Sequence, residues 1–116
     1  MNMKITHKIV RNTIIFILEG ELDQHTSALV REAIETEWEK KLVSRVILNM
    51  QNVTFMDSSG LGVILGRYKQ INNANGGFFI CSVNRQVEKV VELSGLKKII
   101  DFYDTELAAL QALGEE

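Results

Sequence analysis

The chain has 116 residues, 46% of them apolar, with 13 basic and 15 acidic side chains and a formal charge of −2. That size suits one domain spanning residues 1–116 with a core needing no staples, while the near-neutral balance, free of any basic tract, excludes the positive footprint of direct nucleic-acid binding. A lone cysteine, Cys81, excludes an internal disulfide, no Cys/His cluster has metal-ligand spacing, and neither a leader pattern nor an apolar run near the ~18 residues of a spanning helix is present, so a cytoplasmic protein away from membranes, without metal or cofactor, is expected.

Lys4 to Val10 and Thr13 to Glu19 are strand-like, and Arg11-Asn12 between them makes an antiparallel hairpin. Thr13-Ile14-Ile15-Phe16-Ile17-Leu18 is nearly continuous in apolar residues, as a strand buried on both faces would be. Gly20 is expected to break it. Thr26 to Lys41 reads as an amphipathic helix with Val30, Ala33, Ile34 and Trp38 on one face and Thr26 or Asp23 as its cap. Its charges, Glu35, Glu37 and Glu39 with Lys40 and Lys41, read as a solvated face.

Arg45 to Met50 is a third strand, and Gln51 to Asp57 leads into a helix over about Ser58 to Asn72 whose core stripe is read as Leu61, Ile64, Leu65 and Tyr68. Asn73 to Gly77 is a turn and Gly77 to Val83 a fourth strand. Asn84 caps a third helix with Val87, Val90, Val91 and Ser94 inward, and Gly95 suits a left-handed end. Lys98 to Phe102 reads as a short fifth strand. Asp104 is read as the cap of a last helix carrying Leu107, Leu110 and Leu113, ended by Gly114. The order β-β-α-β-α-β-α-β-α implies an α/β fold: a mixed, mostly parallel sheet of four to five strands, about four helices, and the first strand antiparallel.

The informative stretch is Phe55-Met56-Asp57-Ser58-Ser59-Gly60-Leu61-Gly62-Val63-Ile64-Leu65-Gly66. Each glycine inside a helix costs about 1 kcal/mol relative to alanine. Ser58, Gly62 and Gly66, at spacing i, i+4, i+8, form one row almost without side chains. Such a row is a shelf on which another chain can rest, or a close contact with a neighbouring strand. Asp-Ser-Ser-Gly before an apolar helix is also an ordinary N-cap. A serine at this tip sits by unpaired N–H groups, so a phosphate there adds roughly −1.5 to −2 charge without disturbing the helix and alters only the surface.

Two other chemistries fit poorly. A hydrolase would need a Gly-x-Ser-x-Gly elbow with a base, and neither His7, on an edge strand, nor His25, before a helix, is placed for it; the chain is read as a non-enzyme. Gly60-x-Gly62-x-x-x-Gly66 misses the dinucleotide spacing, and no Lys-Ser/Thr of a P-loop follows.

Asp57-Ser58-Ser59-Gly60-Leu61-Gly62 after Val46-Ile47-Leu48-Asn49, with Gly20-Glu21-Leu22-Asp23 upstream, resembles the signature of STAS domains of the anti-sigma factor antagonist class. The likeness runs from about Ile9 to Leu113. In Phe55 to Ile71 and Leu93-Ser94-Gly95-Leu96 it is nearer still to the sporulation members of that class, which act on an anti-sigma-F factor. The resemblance implies a partner that is both anti-sigma factor and ATP-dependent serine kinase. The unphosphorylated form would bind it and free a sigma factor, phosphorylation of Ser58 would end the binding, and a serine phosphatase would restore it. It further implies that Asp23, in the loop before the first helix, takes part in partner contact and that Asp57 positions or caps the helix start. Together with the row of small residues, the partner-binding surface is expected to comprise Asp23, Asp57, Ser59, Gly60, Gly62 and Gly66. The alternative left open is a nucleotide-binding STAS regulatory module with no sigma-factor role.

Overall fold

The hairpin at the N-terminus sets the sheet. In the computed structural model, which describes residues 2–115, β1 (Met3–Val10) pairs antiparallel with β2 (Thr13–Leu22), and Arg11 takes a left-handed φ of +53° in the turn. The elements that follow are α1 (Ser27–Glu39), β3 (Arg45–Met56), α2 (Ser58–Asn73), β4 (Gly77–Cys81), α3 (Arg85–Ser94), a 3₁₀ turn at Leu96–Lys98, β5 (Asp101–Tyr103) and α4 (Glu106–Leu113). The five strands lie in the order β1-β2-β3-β4-β5, and all pairs after the first are parallel. The expected α/β order and the antiparallel first strand are both present.

Because side chains alternate along a strand, β2 supplies both faces of the sheet. Ile14, Phe16 and Leu18 join Val30 and Ile34 of α1, Ile64 and Ile71 of α2, and Val87 and Val91 of α3 in the larger core. Ile15 joins Ile47, Cys81 and Ala109 of α4 in the smaller core on the opposite face. Cys81 is fully buried there, as a small apolar residue would be.

Several boundaries differ from those expected. Gly20 does not break β2. It sits within the strand at φ +127°, a conformation few side chains tolerate, and a Cβ there would run into the Asn2 carbonyl oxygen. The pairing slips beside it, between Ile17 and Glu19 and again between Gly20 and Glu21, and such irregularities bend a strand without ending it. β3 runs on past Met50 to Met56, so that Glu19 to Leu22 and Asn52 to Met56 extend the sheet beyond the end of β4, with β1 still paired at Glu19 and Gly20. Met50, Val53 and Met56 are buried at three-residue spacing, which hides the strand from a search for alternation.

β4 ends at Cys81 because Ser82 turns to φ +63°. The fifth strand is shorter than read and begins only at Asp101, since Gly95 at φ +78° sends Leu96 to Lys98 into a 3₁₀ turn. Thr105, not Asp104, caps α4, its hydroxyl accepting from the Ala108 N–H at 3.0 Å. Leu107 is 58% exposed and Ala109 takes the buried position. Ser94 is exposed rather than inward, and its hydroxyl donates to the Val91 carbonyl at 2.6 Å. The acidic face of α1 is not simply solvated. Glu35 pairs with Arg67 of α2 at 2.6 Å, and Glu37 with Lys40 at 2.9 Å.

Candidate functional site

The extension of β2 and β3 delivers two loops to one place. β3 ends at Met56, and the next residue, Asp57, donates its N–H to the Leu22 carbonyl at 3.4 Å, so the start of α2 is tied to the end of β2. Asp57 has extended backbone and is the N-cap of α2: its carboxylate Oδ1 accepts the N–H of Ser59 at 2.9 Å and of Gly60 at 3.2 Å. The Leu61 N–H already bonds the Asp57 carbonyl. Of the donors a helix start leaves open, only that of Ser58 has no partner among the described residues. The capping role given to Asp57 is met by geometry. The open donors expected beside Ser58 are not there, because Asp57 has taken two of them.

Ser58, the first helical residue, is exposed, and Ser59 behind it is half-buried. The three glycines then separate. Gly60 is buried, and a Cβ there would stand 2.5 Å from the Leu22 carbonyl oxygen, 2.8 Å from Leu22 Cγ and 2.9 Å from Met56 Cγ. Its missing side chain serves the packing of α2 against β2, so Gly60 does not lie on the outward surface expected of it. Gly62 and Gly66 have nothing within 4 Å of such an atom. With Ser58 they form the smooth outward row, and the packing explanation of that row is excluded for these two positions. The three glycines therefore do not make one phosphate cradle.

The inner stripe of α2 is Gly60, Val63, Ile64 and Ile71, with Leu61 and Tyr68 packed at its edge and Leu65 only half-buried. The stripe is rotated from the one read in the sequence because Gly60 permits the close approach that places Val63 beneath it.

Asp23 lies in the loop between β2 and α1 and is 7% exposed. Its Oδ1 accepts the N–H of His25 at 2.8 Å and of Thr26 at 3.1 Å, and its own N–H reaches Thr26 Oγ1 at 3.0 Å. Thr26 Oγ1 donates to the Glu21 carbonyl at 2.6 Å, and Ser27 Oγ donates to the Asp23 carbonyl. Thr26 thus occupies the cap position of α1 without a capping side-chain bond, and the anchoring is done by Asp23. Burial acts to raise the Asp23 carboxyl, but the His25 and Thr26 N–H groups outweigh it and hold it below its ordinary value. The side chain is spent on the loop, whose outer residues Gln24 and His25 are exposed.

Phe55, the first residue of the informative stretch, is 48% exposed two residues before Asp57 and was given no role of its own from the sequence. Its signal was position: β3 had to be seen to continue before Phe55 could be placed between buried Val53 and Met56. His7 lies on β1, 3.8 Å from Glu37, and His25 is exposed in its loop, so neither histidine is hydrogen-bonded to Ser58 or Ser59. Among the described residues no cluster of three or more His, Cys, Asp or Glu could hold a metal, and no helix is long and apolar enough to cross a membrane.

The chain as a whole is similar in sequence and in fold to known proteins. It is 44% identical over 113 residues to the anti-sigma F factor antagonist of Paenibacillus polymyxa, covering 97% of each chain. The fold superimposes with a TM-score of 0.88 on a Thermotoga maritima protein described as a putative anti-sigma factor antagonist, at 30% identity over 95% of this chain and 94% of that one. It is also similar to SpoIIAA, described as an anti-sigma factor antagonist, in its unphosphorylated form (TM-score 0.74, 27% identity, 99% and 100% covered) and, from Bacillus, in its phosphorylated form (TM-score 0.73, 31% identity, 95% and 99% covered). Residues 2–109 match the family model for the STAS domain, and the chain belongs to that family.

Proposed function

We propose that this chain is an anti-sigma factor antagonist that works by binding, not catalysis. Its unphosphorylated form binds an anti-sigma factor that is also a serine kinase, and so releases a sigma factor for sporulation transcription in the cytoplasm. Phosphorylation of Ser58 by that kinase ends the interaction, and a serine phosphatase reverses it. The observation that carries this reading is the split at the start of α2. Ser58 and the open Gly62 and Gly66 face outward, while the tie that seats the helix, Gly60 on Leu22, lies beneath. A charge added to Ser58 therefore meets a partner and not the core. Relatives bearing the antagonist name, one of them solved in both phosphorylation states, support the same reading.

Within it, Ser58 is the modified residue, and Ser59, Gly62 and Gly66 border the docking surface. Asp57 and Asp23 act on that surface by holding the helix start and the neighbouring loop in place. The test is incubation with an anti-sigma-F-type kinase and ATP, followed by peptide mass mapping. Phosphate on Ser58 is expected; phosphate on Ser59 alone would overturn the assignment. Ser58→Ala should keep partner binding and lose phosphate uptake. Ser58→Asp should weaken binding with an unchanged circular dichroism spectrum.

A further inference from the structure

A phosphate on a helix tip is ordinarily captured by the free N–H groups there. The start of α2 does not offer them. Asp57 Oδ1 holds the Ser59 and Gly60 N–H groups at 2.9 and 3.2 Å, the Asp57 carbonyl holds that of Leu61, and only the Ser58 N–H remains. The charges point the same way. A helix start is worth roughly +0.5 of an elementary charge, against the full negative charge of the Asp57 carboxylate seated on it. Those two charges by themselves leave the tip negative before any phosphate arrives. The first turn, Ser58-Ser59-Gly60-Leu61, brings no basic residue, and the loop tied to it through Leu22 carries Asp23, whose carboxylate faces inward, and the exposed His25.

We propose that Asp57 keeps a phosphate on Ser58 uncaptured, so that the modified site presents the phosphate and a carboxylate side by side to solvent and to any partner. This deepens the switch reading and rests on Ser58 being the modified residue. Asp57 then has two roles, capping the helix and amplifying the switch. An uncaptured phosphate repels a docked partner with its whole charge, and it stays open to a phosphatase. A captured one would be partly neutralised and shielded.

The experiment installs phosphoserine at position 58 of the full chain by genetic encoding, so that no kinase is needed. Phosphorus NMR then follows the second ionisation of the phosphate in the folded chain and in the same chain unfolded by urea. A His25→Gln background removes the neighbouring imidazole. The folded value is expected about half a pH unit above the unfolded one, the effect of a like charge at an exposed site. Asp57→Asn, which keeps a capping oxygen, should bring it back to the unfolded value. A folded value at or below the unfolded one would overturn the proposal, as would a rise that persists in Asp57→Asn. Independently of any variant, the Ser59 and Gly60 amide protons should not move with the phosphate's ionisation; a downfield shift tracking it would mean capture. Failure of a kinase to modify Ser58 would remove the proposed function and leave this titration standing, so the two failures are distinguishable.

Discussion

Gly60 and Gly62 stand two residues apart on one helix and lack a side chain for opposite reasons. At Gly60 the space is occupied by the Leu22 carbonyl and side chain and by Met56; at Gly62 there is nothing within 4 Å. The same contrast divides the whole end of the molecule. The inner side of α2, with Gly60, Val63 and Ile64, is part of the core, whereas the outer side, with Ser58, Gly62 and Gly66, contributes nothing to it. A residue type that looks uniform in the sequence thus marks two functions, one for folding and one for contact, and a switch can be placed on the second without cost to the first.

Substitutions should expose this difference in order of size. Gly60→Ala should be the most damaging, because the new methyl meets backbone as well as side chains; overpacking of this kind costs about 3 kcal/mol, read as a lower urea midpoint with unchanged slope. If Gly60→Ala were neutral, the inner side would not be the seat of the helix. Asp57→Ala should come next, losing about 1 kcal/mol with the cap, while Asp57→Asn should lose almost none. Gly62→Ala should stabilise the free chain by a little under about 1 kcal/mol, since it removes the helix penalty of glycine and meets no neighbour. Destabilisation there would erase the contrast. Gly62→Leu sharpens it further, and is expected to impair partner binding far more than folding.

The smallest effect concerns the loop beside the tip. The Asp23 carboxyl is held below its ordinary value of 3.8 in the folded chain. Its carboxylate therefore contributes stability that is present above that value and is lost as pH falls through the folded one. Acid unfolding of Asp23→Asn should lack this component, so the difference between the two chains should shrink below about pH 4. A constant difference across that range would mean the Asp23 charge is not what anchors the loop.

Much of this end was legible from residue types alone. An N-cap at Asp57 to Gly60, the side-chain-free row of Ser58, Gly62 and Gly66, the left-handed Gly95, and Gly114 as a helix end all follow from local backbone chemistry, which the sequence states directly. What was hidden depends on partners distant in the chain. Gly60 could not be told from Gly62 without knowing that Leu22 lies against it. The extension of β3 was masked because Met50, Val53 and Met56 recur every third residue in a twisted, irregular pairing. Asp23 and Thr26 are equal candidates for the cap by type, and that Asp23 is buried shows only once Thr26 and Ser27 are seen folded onto it. Thr105 and Asp104 are both good caps by type, and only the backbone entering α4 separates them.

The central claim is that modification of Ser58 changes a surface and leaves the scaffold in place. Amide NMR spectra of the full chain with and without phosphoserine at position 58, recorded together with the affinity for the anti-sigma partner, test it most directly. Perturbed amides confined to residues around Ser58 and Gly62, with Leu22, Val63, Ile64 and the strands unmoved and binding lost, is the expected result. Shifts spreading through those buried positions, or a phosphorylated chain that binds its partner as tightly as before, would contradict it.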